Sequence, residues 1–197
     1  GLGDVYKRQQ TLLYLHGFNS GPGSKKARQT REWLKKNAPS INFICPQLSP
    51  YAKEALIQIE KIVNKYIDSI SLLGSSMGGF LGTYLVEKYS IKGAFVNPAV
   101  NPSRGLSNYI GQNRNYLTDE TWVFKKHHIS EYKEVTCKKI MKYGQYLILV
   151  ETGDEVLNYK DAVQYYNGAS IIIVQGGEHR FVSYEKYLPK IYDFLFS

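Results

Sequence analysis

Ile70-Ser71-Leu72-Leu73-Gly74-Ser75-Ser76-Met77-Gly78, running on into Phe80 to Lys88, decides how the rest of the 197-residue chain is read. An apolar run with strand character enters a GxSxG pentapeptide, Gly74 to Gly78, and leaves it as a helical pattern. A chain that turns this sharply from strand into helix forces its central serine into a strained conformation, and glycines two residues either side let the two elements approach. Ser76 is therefore expected at an exposed tip and at a helix N-terminus, where unpaired N–H groups and the helix dipole favour developing negative charge. The pentapeptide alone is a weak signal, because glycine and serine also populate ordinary strand-to-helix turns. Its position between a strand and a helix is what points to a serine hydrolase.

Outward from the pentapeptide, short apolar runs suited to buried parallel strands recur at Thr11–Leu15, Ile41–Cys45, Ile70–Leu73, Gly93–Val96, Tyr146–Val150 and Ser170–Val174. Amphipathic patterns lie between most of them. Leu56, Ile59, Ile62, Val63 and Tyr66 fall on one face of a helix over Lys53 to Tyr66, and Tyr184, Tyr187, Leu188, Ile191 and Leu195 repeat the spacing. Lys25 to Lys36 and Met77 to Tyr89 give two more helices. Alternation of strand and helix predicts an α/β domain of the α/β-hydrolase type, with a mostly parallel central sheet and helices on both faces. Such sheets carry their sites at the carboxyl ends of the strands. The connection from Asn97 to Tyr146 far exceeds the usual ~4–6 residues. Its apolar Tyr109, Ile110, Tyr116, Leu117, Trp122, Val123 and Phe124 make residues 98–145 either a small cap insert or an excursion packed on the sheet edge.

Residues 11–197 read as one domain, since 43% hydrophobic residues suffice for a core and no composition shift marks a second unit. Gly1 to Gln10 has no periodicity, lacks a starting Met and resembles a translated adapter sequence, so it is expected to be a non-native leader. The net charge of +8 arises from 25 basic and 17 acidic residues spread singly and in pairs, which suits a solvated surface better than a nucleic-acid footprint. Cys45 and Cys137 supply neither a disulfide framework nor a metal-ligand spacing, which favours a reduced, cytoplasmic setting. No apolar run reaches the ~18–20 residues of a membrane helix. No cofactor or metal is expected, and the oligomeric state stays open.

A serine hydroxyl needs a neutral imidazole to take its proton and a carboxylate to hold that imidazole in the right tautomer. Of His16, His127, His128 and His179, the last follows the final apolar strand in the glycine-rich Gly176-Gly177-Glu178-His179-Arg180-Phe181, and it is the expected base. Asp154, after the preceding strand with Gly153 permitting a turn, is the expected acid. Glu151 and Glu155 are its rivals, Glu178 is expected to face solvent, and His127 and His128 belong to the insert. Ser76, Asp154, His179 follow the nucleophile, acid, base order of α/β-hydrolases. The oxyanion donors are expected to be the N–H of Met77, after the nucleophile, and that of Phe18, at the exit of the first strand. His16 then fixes this exit loop through its ring nitrogens. A phosphate-cradling role for Gly17, Gly21 and Gly23 is disfavoured, because neither GxGxxG nor a Walker ending is present.

Residues 12–20 (LeuLeuTyrLeuHisGlyPheAsnSer), 46–48 (ProGlnLeu), 74–79 (GlySerSerMetGlyGly), 96–100 (ValAsnProAlaVal), 152–157 (ThrGlyAspGluValLeu) and 176–181 (GlyGlyGluHisArgPhe) together resemble the YqiA-like esterase family. The resemblance spans Thr11 to the C-terminus. It implies a bacterial, cytosolic esterase, with thioesterase action on acyl-CoA as the alternative, and it carries the nucleophile, acid and base onto Ser76, Asp154 and His179. The implied partner is a small acyl ester or thioester. A catalytically silent binding module is a further reading, whose sign would be a broken triad.

Overall fold

In the computed structural model, which describes residues 8–197, the chain runs through β1 (Thr11–Leu15), α1 (Lys25–Asn37), β2 (Asn42–Ile44), α2 (Ala52–Lys65), β3 (Ile70–Ser75), α3 (Met77–Tyr89) and β4 (Gly93–Val96). It continues through β5 (Gly111–Arg114), β6 (Thr121–Phe124), α4 (Lys126–Glu134), β7 (Tyr146–Glu151), α5 (Tyr159–Tyr165), β8 (Ser170–Val174) and α6 (Tyr184–Phe196). Of the expected leader at 1–10, residues 1–7 lie outside the described residues.

Six strands form one sheet in the order β2-β1-β3-β4-β7-β8, and every pair in it is parallel. The four inner strands, β1, β3, β4 and β7, read as near-continuous apolar runs because both their faces are covered. Leu13, Leu15, Leu72, Phe95, Ile148 and Val150 pack towards α2 and α3. Their immediate neighbours Leu12, Tyr14, Leu73, Ala94, Leu147 and Leu149 pack towards α1 and α6 on the opposite side. Each fully buried leucine among them contributes about 1.5–3 kcal/mol. The periodicities that predict the helices name the buried faces: Leu56, Ile59 and Val63 on α2, and Tyr184, Leu188, Ile191 and Leu195 on α6. Among the described residues no helix is long and apolar enough to cross a membrane.

The differences from the expected elements have physical reasons. β2 is shorter than Ile41–Cys45 because it is an edge strand whose three residues are only half-buried. β3 runs two residues further, through Gly74 and Ser75, so the pentapeptide begins inside the sheet. α5 spans seven residues, too few to show a periodicity, and starts where the Asn158 side chain accepts the Lys160 N–H. The long connection folds into three 3-10 turns, the antiparallel pair β5 and β6, and α4. This pair rests on the loop leaving β1: Asn19 Nδ2 donates to the Arg114 carbonyl at 3.0 Å, Trp122 Nε1 to Asn19 Oδ1 at 3.0 Å, and Asn115 Nδ2 to the Ser20 carbonyl at 2.9 Å. The Phe18 ring meets Tyr109, Trp122, Phe124 and Tyr132 edge-on.

Candidate active site

At the end of β3 the backbone of Ser76 sits at φ 53°, ψ −117°, a region that residues other than glycine seldom enter. Two glycines make this possible. A Cβ on Gly78 would land on the Leu15 carbonyl oxygen, and one on Gly74 would come within 2.9 Å of the Gly78 carbonyl carbon. The turn is tied to the sheet by the Ser76 N–H, which donates to the Val96 carbonyl at 3.1 Å. The Ser76 carbonyl in turn accepts from Gly79, Phe80 and Ala99. The result is a serine side chain at the N-terminus of α3 and at the carboxyl edge of the sheet.

His179 arrives at the same edge from the loop after β8. Its Nε2 lies 3.2 Å from Ser76 Oγ, and its Nδ1 lies 2.9 and 3.0 Å from the two carboxylate oxygens of Asp154. An ionised carboxylate only accepts, so Nδ1 carries the proton and Nε2 presents its lone pair to the serine hydroxyl. The Asp154 side chain is 2% exposed and that of His179 20%. Burial alone would raise the Asp154 carboxyl. Hydrogen bonds from His179 and from the Leu157 and Val156 N–H groups outweigh it and hold the carboxyl below the usual aspartate range.

The loop leaving β1 runs beside the serine: a Cβ on Gly17 would stand 3.8 Å from Ser76 Cβ. Phe18 and Met77 keep their N–H groups out of any hydrogen bond among the described residues. Buried His16 donates from Nδ1 to the Gly17 carbonyl at 2.8 Å and accepts the Leu48 N–H on Nε2 at 2.8 Å. Both ring nitrogens thus tie the exit loop to the segment after β2, and burial lowers the pKa of the ring. Gly21 makes room for the Gln47 side chain, whose Nε2 donates to the Ser20 carbonyl at 2.7 Å.

The rival acids stand elsewhere around the same loop. Glu155 Oε2 accepts the His179 backbone N–H at 3.0 Å, which holds that carboxyl below its usual range. Glu151, the last residue of β7, is 1% exposed and accepts the Glu178 N–H at 2.8 Å. Burial raises its pKa. Glu178, expected to face solvent, is half-buried, and both its N–H and its carbonyl are engaged. Asn97 was not singled out by residue chemistry, although it sits in the ValAsnProAlaVal segment. It is 2% exposed at φ 42°, and its side chain bonds the backbone of Glu151, Glu178 and His179.

Outside this edge, His127, His128 and Glu131 bring potential metal donors within 4.8 Å of one another. His128 Nδ1 already accepts the Lys125 N–H at 2.9 Å at the start of α4, which leaves the proton on Nε2, and Glu131 accepts the Lys53 N–H. These side chains fasten α4, and His128 stacks on Tyr51 at 4.0 Å.

Across residues 11–196 the sequence matches the uncharacterised protein family UPF0227. Among solved structures, α/β hydrolase domain-containing protein 10 from mouse is 15% identical with a TM-score of 0.74, over 93% of this chain and 88% of that one. Est1E from Butyrivibrio proteoclasticus is 16% identical with a TM-score of 0.69, over 94% and 86%. An esterase from Pyrococcus furiosus is 14% identical with a TM-score of 0.63, over 95% and 81%. At these identities the likeness is one of fold: a parallel sheet with helices on both faces, of the α/β-hydrolase type.

Proposed function

The chain belongs to the uncharacterised protein family UPF0227, and from that premise we propose that it is a serine hydrolase acting on carboxylic esters. The observation that carries the reading is the row Ser76 Oγ, His179 Nε2, His179 Nδ1, Asp154, with both ring nitrogens in hydrogen-bonding reach. In the reaction, Ser76 Oγ attacks the ester carbonyl carbon while its proton passes to His179 Nε2. Asp154 holds the Nδ1–H and stabilises the imidazolium that forms. Charge gathers on the former carbonyl oxygen, which the N–H groups of Met77 and Phe18 receive. The C–O bond to the alcohol then breaks as Nε2 returns the proton to the leaving oxygen. Water, deprotonated by the same nitrogen, attacks the acyl-enzyme, and release of the acid restores Ser76.

A cavity of about 640 Å³ opens between the segment after β4 and the segment from β7 to α5. Ala99 on its wall donates to the Ser76 carbonyl, and Val156 and Leu157 on the opposite wall donate to Asp154. Its walls mix Val100 and Tyr165 with Asn101, Arg104 and Asp161. Ser76, His179 and Asp154 do not themselves line it, so it adjoins the row through the backbone of its walls.

Ser76→Ala is expected to abolish both labelling by a fluorophosphonate probe and turnover of p-nitrophenyl butyrate; undiminished labelling would refute the reading. His179→Ala should lower turnover by roughly 10³-fold or more, since the members of such a row act as a unit. Acetyl-CoA and palmitoyl-CoA run beside the simple ester separate ester from thioester preference.

A further inference from the structure

Three consecutive peptide planes carry His179, and side chains from distant parts of the chain hold all three. Glu151 Oε2 accepts the N–H of Glu178, which fixes the plane between 177 and 178. The plane between 178 and 179 is held on both sides: Asn97 Nδ2 donates to the Glu178 carbonyl at 3.2 Å, and Glu155 accepts the His179 N–H. Asn97 Nδ2 also donates to the His179 carbonyl at 3.1 Å, which fixes the plane between 179 and 180. The two buried residues are linked to each other, because the Glu151 N–H donates to Asn97 Oδ1 at 3.0 Å.

None of these loop groups is held by a strand ladder, and their one backbone partner is the Phe181 N–H, which donates to the Glu178 carbonyl at 3.0 Å within the same loop, so the ties to the rest of the fold come from the side chains. A carboxylate at a strand end only 1% exposed costs desolvation that an apolar residue would not incur. What it supplies there is an acceptor aimed at one loop N–H. Gly177, at φ 73°, belongs to the same arrangement, since a Cβ at that position would occupy the space of the Glu151 carboxylate. With the flanking planes fixed, the direction of the His179 Cα–Cβ bond is fixed, and Asp154 has only two side-chain torsions left to set.

We propose that Asn97 and Glu151 form a buried strap that aims the His179 imidazole at Ser76, which makes them positioning residues for the general base. The proposal rests on the reading of His179 as that base. A displacement of about 1 Å in such a group can cost on the order of 10²-fold in rate. Asn97→Gly removes the strap side chain while tolerating the positive φ, and it should lower kcat by about 10- to 100-fold with KM within about twofold. Glu151→Ala should lower it by about tenfold, and Glu151→Gln, which still offers an acceptor to the Glu178 N–H, should recover most of that loss.

The decisive arm is a cycle with His179→Ala. With no imidazole to aim, Asn97→Gly should leave the residual turnover of His179→Ala unchanged. An equal loss in both backgrounds would overturn the proposal, as would a Glu151→Gln variant as impaired as Glu151→Ala. Two readouts need no turnover. In the wild-type chain the amides of Glu178 and His179 should exchange slowly although they lie in a loop, and the downfield proton resonance of His179 Nδ1–H should broaden in Asn97→Gly. Unprotected amides would overturn the strap even if no variant folds. If Ser76-dependent turnover is absent altogether, the hydrolase reading fails, while amide exchange and the Nδ1–H signal still judge the strap.

Discussion

The serine turn and the histidine loop meet at one edge of the sheet but are built in opposite ways. The turn is mostly a short-range device: within five contiguous residues Ser76 adopts φ 53° and Gly74 leaves room for the Gly78 backbone, while Gly78 makes room for one distant atom, the Leu15 carbonyl of β1. The histidine loop is a long-range one. Its backbone hangs on Asn97, Glu151 and Glu155, and its ring on Asp154. Strain can be written into adjacent residues because it depends on local crowding, whereas the aim of a flexible loop has to be imposed from outside it.

The largest test separates the acids. Asp154→Asn should lower kcat/KM by about 10⁴-fold, since an amide can stabilise the wrong imidazole tautomer, while Glu155→Gln should cost about threefold or less because its carbonyl still accepts the His179 N–H. Comparable losses would mean that ring and backbone supports are not distinct.

A smaller effect sharpens the contrast between the two regions through their glycines. Gly78→Ala drives a methyl group onto the Leu15 carbonyl and should destabilise the fold by about 3 kcal/mol or more. Gly176→Ala meets nothing within 4 Å and bears only its positive φ, at a cost of about 1 kcal/mol. Thermal unfolding of both variants checks the ranking, and a reversed order would place the rigid region in the histidine loop.

The smallest effect is pH-dependent. Because the folded state depresses the Asp154 carboxyl, its contribution to stability is present above the unfolded aspartate range and is lost as pH falls through the lower folded value. Asp154→Asn should therefore lie below the wild type in urea midpoint at neutral pH, with the gap closing as the medium becomes acidic. A gap independent of pH would separate the stability role of Asp154 from its charge.

Much of this architecture is legible in the residues. The runs at Thr11–Leu15, Gly93–Val96 and Ser170–Val174 become strands with those bounds, and Met77 to Tyr89 becomes α3; for the first two strands burial on both faces selects continuous apolar sequence, whereas Ser170–Val174 is a partly exposed edge strand. β5, reading Gly-Gln-Asn-Arg, carries no apolar alternation, and α5 is too short for one, so neither announces itself. Glu151, Asp154 and Glu155 are chemically near-equivalent within five positions of one another. Their separate attachments, to the Glu178 N–H, the imidazole and the His179 N–H, depend on how the loop after β7 faces the loop after β8.

Sequence by itself determined the layered α/β scaffold, the strand-to-helix turn at Ser76 and the order Ser76, Asp154, His179 along the chain, since periodicity, glycine spacing and residue order are all written along the chain. Tertiary structure alone decided which carboxylate meets the imidazole and that Asn97, some 80 residues before His179, holds the loop carrying it. Hydrogen bonds between parts far apart along the chain leave no spacing to read, because their geometry exists only once the strands have paired.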